Sequence, residues 1–127
     1  TLLSFCAFQV AQAKIHHVNV SGTIVCDTER MTNALVELWE RDVPPVDPHD
    51  LLALVRSDPQ GEFVLRGSTD ELSLPEFFLR VTHTCGAKEN CTLIGEVPIA
   101  DKYVDNEFEM GFLELNGLQQ EEKCEHN

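Results

Sequence analysis

Between Phe77 and Cys91 the chain reads FFLRVTHTCGAKENC. Phe77, Leu79, Val81, His83 and Cys85 alternate with Phe78, Arg80, Thr82 and Thr84, which is the period of a β-strand with one face turned to a core. That buried face runs into a histidine and a cysteine. Cys91 follows after a short polar turn, and Asn90-Cys91-Thr92 is an N-glycosylation sequon. Such a segment suits an active site, a metal site, or the disulfide-pinned centre of a secreted sandwich, and the remaining residues discriminate among the three.

The amino-terminal residues bear on the compartment. Leu2 to Val10 is apolar apart from Ser4 and Gln9, and Ala11-Gln12-Ala13 has the small-x-small pattern of a signal peptidase site. Residues 1–13 read as the remnant of a signal peptide, with residues 14–127 as one mature domain. The apolar run is far shorter than the roughly 20 residues that span a bilayer, and no later segment approaches that length. Removing the leader removes Cys6, so Cys26, Cys85, Cys91 and Cys124 remain. An even set suits a closed disulfide framework in an oxidising compartment. A second sequon, Asn19-Val20-Ser21, points the same way, so Asn19 and Asn90 are expected glycosylation sites on a secreted, extracellular protein. A formal net charge of −13 disfavours nucleic acid and electrostatic docking on anionic lipid, because both need basic surface.

The rest of the chain reads as short strands separated by turns. In Ile15 to Cys26, Val18, Val20, Gly22, Ile24 and Cys26 share one face, and Gly22 marks a bulge or a close backbone approach. Ala34 to Glu40 carries apolar residues on both faces, which predicts a central strand or an outer face partly covered by a neighbour, with Trp39 as a large buried aromatic. Ser57-Asp58-Pro59-Gln60-Gly61 is a strong turn, expected to join Leu51–Arg56 to Glu62–Arg66 as a hairpin. Gly67 to Leu74 reads as a polar connection. Leu93 to Ile99 and Phe108 to Leu115 complete about seven strands, with Gly111 as a bulge candidate. The tail from Asn116 is charged, and only Cys124 is expected to tie it down. With no long helix in the pattern, the expectation is an antiparallel two-layer sandwich.

Three groups could carry chemistry. His16 and His17 read as an exposed, frayed strand entry rather than metal ligands. Asp42, Asp47, His49 and Asp50 contain suitable donor types, but Asp47 before Pro48, with Asp50 beyond, is better explained as the cap of a one-turn helix. His83 reads as a buried structural histidine whose ring nitrogens find backbone or hydroxyl partners. Zinc normally takes four ligands, and His83, Cys85 and Cys91 supply three unless Cys26 or Cys124 joins them. No nucleophile-elbow pattern appears, and four cysteines allow three disulfide connectivities.

The order of these signals resembles the nematode transthyretin-like family of small secreted proteins. The matching pieces are VNVSGTIVC (Val18 to Cys26), VELWERD (Val36 to Asp42), PHDLL (Pro48 to Leu52), GEFVLRG (Gly61 to Gly67), the HTC of His83 to Cys85 with Cys91 behind it, Val97-Pro98 with Tyr103, and Cys124. The resemblance implies an all-β, immunoglobulin-like antiparallel sandwich of seven or eight strands, stapled by disulfides. In that topology the strands ending at Cys26 and Cys85 run the same way in opposite sheets, which implies Cys26 with Cys85 and Cys91 with Cys124. Local pairing of Cys85 with Cys91 is the rival.

The family also implies an extracellular binding protein, here for a protein or cell-surface partner; because the residues assemble no catalytic constellation, no catalysis, cofactor or metal is expected. A carrier of a small apolar ligand is one alternative. Another is 5-hydroxyisourate hydrolase, which shares the fold, but the Tyr-Arg-Gly-Ser ending of that enzyme family is absent from Cys124-Glu125-His126-Asn127. The Gly86 to Asn90 loop is the candidate contact surface.

Overall fold

The computed structural model describes residues 12–41 and 49–125. Most of the leader, the proposed helix start at Asp47-Pro48, and Asp42 lie outside the described residues. Nine strands are present among those described: β1 (Lys14–Cys26), β2 (Glu29–Arg30), β3 (Leu35–Arg41), β4 (Asp50–Arg56), β5 (Glu62–Glu71), β6 (Glu76–His83), β7 (Cys91–Pro98), β8 (Asn106–Glu114) and β9 (Gln120–Cys124). They form two sheets. In one, β1 is central, antiparallel to β2 and β5 along one edge and parallel to β8 along the other. The second runs β4-β3-β6-β7-β9, antiparallel throughout.

Alternation sets the core. Val18, Val20 and Ile24 of β1 and Phe63 and Leu65 of β5 face Val36 and Leu38 of β3 and Phe77, Leu79 and Val81 of β6. This is the facing-layer solution for strands with one apolar face each. β3 lies between β4 and β6, as its two apolar faces predict. Trp39 differs from the expectation of a buried aromatic, because it lies half-buried on the outer face. There it stacks on Phe78, with ring centroids 6.5 Å apart, and Arg80 and Arg41 lie over Trp39 and Phe78 at 4.8 and 4.4 Å. Glu96 joins both guanidiniums at 3.4 Å. This cover buries Phe78 although it points away from the core.

The expected hairpin does not form. The turn itself is present: Gly61 N–H donates to Asp58 O at 2.8 Å, the Asp58 carboxylate accepts from Gln60 and Glu62 N–H, and Gly61 has φ of 77°. However, β4 pairs with β3 and β5 pairs with β1, so the turn carries the chain from one sheet to the other. Farther along β5 the layers nearly touch. A Cβ on Gly67 would lie 2.7 Å from Leu38 Cδ2 and 3.0 Å from Leu52 Cβ.

Other expectations are corrected by long-range pairing. β5 continues through the expected connection as far as Glu71, because Lys14 to His17 need partners at Ser68 to Glu71. His16 and His17 are therefore not frayed. Glu29 and Arg30 pair with Cys26 and Val25. The tail forms β9 against β7. Asp50 opens β4 instead of a helix. The β1–β8 register shifts between Ser21 and Thr23, with the extra residue on β8 beside Gly111.

Candidate functional site

The segment from Phe77 to Cys91 lies at one end of the sandwich, where two cross-links converge. β1 ends at Cys26, and Asp27 and Thr28 turn the chain with positive φ. β6 ends at His83, and buried Cys85 is bonded to Cys26 with a Cα–Cα distance of 5.8 Å, tying one sheet to the other. Cys91 opens β7 and is bonded to Cys124 of β9, its cross-strand neighbour, at a Cα–Cα distance of 4.0 Å.

Between Cys85 and Cys91, the Gly86 to Asn90 loop thus has each flank in a different disulfide. Ala87 N–H donates to Thr84 O and Cys91 N–H to Lys88 O, both at 3.0 Å, and Glu125 N–H closes on Asn90 O at 2.8 Å. Gly86 and Asn90 take positive φ. The side chains of Lys88, Glu89 and Asn90 project into solvent. Hydrogen bonds to the loop's own backbone therefore hold an exposed surface in one shape.

His83 lies beneath this end, 4 % exposed. Its Nδ1 accepts from the Cys85 N–H at 3.0 Å, so the ring proton sits on Nε2, which donates to the Gln120 side-chain oxygen. The Gln120 amide nitrogen donates in turn to Leu115 O at 3.2 Å. Burial pushes the His83 pKa below its usual 6.5, opposed in part by the bond to Gln120. A neutral imidazole with both nitrogens engaged by structural partners ties β6 to β9. One of those partners is a backbone N–H, as expected, and the other is an amide where a hydroxyl was anticipated. The residue missed in the sequence is Gln120, which sits in a charged segment with no apolar period.

Near the same end, a cleft of about 270 Å³ opens on the outer face of the second sheet. It is lined by the 31–34 turn, Leu35, Arg56 and the threonines at 82, 84 and 92. The turn is fixed by Ser57, whose hydroxyl donates to Met31 O at 2.8 Å and accepts from Ala34 N–H at 2.9 Å.

The other candidates lie elsewhere. Asn19 is half-buried on the outer face of the first sheet, its side-chain oxygen accepting from Arg66 Nε at 2.9 Å. At the far end of β1, His16 Nδ1 lies 2.7 Å from Asp105 Oδ2, while His17 N–H donates to Asp105 Oδ1 at 3.0 Å. The His16 bond, followed by that of His17, lowers the Asp105 pKa. Among the described residues, two of the acidic or cysteine groupings compact enough for a metal consist mainly of these disulfide-bonded cysteines. The third is Glu40, Asp50 and Glu71. His49 packs against Phe78 with the rings near perpendicular and centroids 5.9 Å apart, and it is not part of that trio.

Three comparisons place the chain among known proteins. Transthyretin-like protein 16 of Caenorhabditis elegans is 33% identical over 127 residues, covering 98% of this chain and 94% of that protein. Transthyretin-like protein 46 of the same nematode is 40% identical over 68 residues, which is 54% of this chain and 37% of its own length. A crystal structure of a 9R-lipoxygenase from Cyanothece superposes with a TM-score of 0.51 at 19% identity, covering 78% of this chain and 16% of that one, a likeness of fold alone. Residues 21–99 match the model of the Transthyretin-like family. With that match and a relative aligned over nearly its whole length, the chain belongs to the transthyretin-like family.

Proposed function

We propose that the protein is secreted, with residues 1–13 removed, and acts outside the cell as a non-catalytic binding protein. Its partner is an extracellular protein or cell-surface molecule, engaged through the disulfide-braced end of the sandwich. The observation that carries this reading is the Gly86 to Asn90 loop, exposed at every residue but the half-buried Ala87 and flanked by cysteines of two different bridges. A loop held in one conformation before contact loses little entropy on binding, and recognition tends to use loops mounted on a rigid scaffold. The reading is supported further by the roles of the reactive side chains: the four cysteines among the described residues are oxidised and both His83 nitrogens are engaged. The two sequons lie on surface positions, Asn90 in this loop and Asn19 on the opposite sheet, which supports glycan attachment at both.

The test is capture from extracellular fluid with the protein purified from culture medium, compared with a Lys88→Glu, Glu89→Lys variant that leaves both bridges in place. Loss of the specifically captured partner by the variant is expected. Equal capture by both proteins refutes the loop as the contact surface, and retention of the chain inside the producing cell refutes secretion.

A further inference from the structure

We propose that cleavage after Ala13 creates a square-planar Cu(II) or Ni(II) site from the α-amine of Lys14, the backbone nitrogens of Ile15 and His16, and Nδ1 of His16. The site rests on the cleavage reading given above. A histidine third from a free amine is the one arrangement in which amine, two successive backbone nitrogens and imidazole Nδ1 close consecutive small chelate rings around one ion. Four nitrogens in a plane suit Cu(II) and Ni(II), with copper the tighter of the two. Cleavage one residue earlier would move His16 to fourth place and abolish the chelate, whereas cleavage one residue later would put His17 in third place instead. Ala13-Lys14-Ile15-His16 has the required order.

The fold leaves the backbone of these residues open along one side, while the His16 side chain is 12% exposed and turned to Asp105. Ala13 and Lys14 are exposed, and Ile15 is 68% exposed. On one side Lys14, Ile15 and His16 lie opposite Glu71, Asp70 and Thr69 at the end of β5. On the other side β8 begins only alongside Val18. The His17 N–H and C=O face that second side, where they meet Asp105. Backbone groups alternate along a strand, so the Ile15 N–H shares the open side and only the His16 amide points toward β5. Binding therefore breaks one terminal rung of the ladder and the 2.7 Å contact between His16 Nδ1 and Asp105 Oδ2. That contact also shows the ligating nitrogen turned to a polar neighbour. Asp70, Glu71 and Asp105 surround the position with negative charge suited to a dication.

The proton balance is closed. The metal dication displaces one proton from the ammonium and one from each of the two amides, while the neutral imidazole retains one proton, which moves from Nδ1, where it faces the Asp105 carboxylate, to Nε2. No oxidant or reductant is needed.

Protein recovered from culture medium is first sequenced from its amino terminus and weighed intact, with Lys14 expected as the first residue. Titration with cupric chloride should then give one bound equivalent, with the visible absorption and electron paramagnetic resonance of a planar four-nitrogen site. His16→Ala and a chain that retains Ala13 should both lose that equivalent. The Ala13-retaining chain leaves every contact of the folded domain intact and so separates ligand loss from misfolding. A chain beginning at Lys14 that yields no such species, or the same species in the Ala13-retaining chain, overturns the site. A secreted chain with a different first residue overturns the cleavage reading and the site with it.

Discussion

Replacing Cys91 and Cys124 together by serine removes the brace on one flank of the proposed contact loop without leaving a free thiol. The bridge joins residues separated by 33 positions. In the chain-entropy model, its loss frees a loop of that size in the unfolded state and costs about 4 kcal/mol. The structure shows where that cost appears first. β9 is a terminal edge strand, with Gln120 its one contact to the buried His83 ring. Once β9 detaches, the His83 Nε2–H is left buried without a partner, which adds about 1–3 kcal/mol of local penalty. Urea unfolding followed by the single tryptophan, Trp39, should show a midpoint lowered by about 2 M at a slope near 2 kcal/mol/M. Hydrogen exchange should show loss of protection in Glu121 to Lys123 and in the β7 amides facing them. An unchanged midpoint together with undiminished protection of β9 would refute the reasoning, since the strand would then be held by its ladder alone.

Three further outcomes follow from particular contacts. Gly67→Ala forces a methyl to 2.7 Å from Leu38 Cδ2 and should cost about 1–3 kcal/mol by urea denaturation. Gly117→Ala, where a Cβ meets nothing within 4 Å, should stay within about 0.5 kcal/mol of the parent. Because burial lowers the His83 pKa from 6.5, the unfolded chain binds its proton first as pH falls. The stability contributed by the neutral ring is complete above 6.5 and is lost as pH drops from there through the lowered folded value, with a slope of at most about 1.4 kcal/mol per pH unit. His83→Leu should be less stable at pH 7 and lack that slope, and the comparison of the two proteins' urea midpoints at pH 7 and pH 5 checks both statements.

The sequence was informative where the signal is local. Period-two runs located the buried faces of β1, β3 and β6, and the Asp58 to Gly61 turn occurs with its glycine in the left-handed region. Local pattern does not say which sheet receives the next strand. That choice depends on β5 registering against β1 from Lys14 onward, and on a glycine at 67 letting the layers close over Leu38 and Leu52. β9 was illegible for a different reason: QEEKC has no apolar period, because main-chain pairing and a disulfide hold it at an edge. Gln120 was lost with it. The buried character of His83 could be read from alternation, but its partner lies 37 residues away in that charged segment.

The two bridges also decide how the chain comes apart when its backbone is cut. A single break anywhere between Cys26 and Cys85, or between Cys91 and Cys124, leaves one covalent molecule, because each span is closed on itself. The stretch from Gly86 to Asn90 is the seam between the two rings. Hydrolysis after Lys88 yields two separately closed pieces, one ending beyond β6 and the other beginning with β7, held together only by noncovalent contacts, the β6–β7 and β1–β8 ladders and the shared core. On a denaturing gel without reductant the nicked protein would therefore run as two bands.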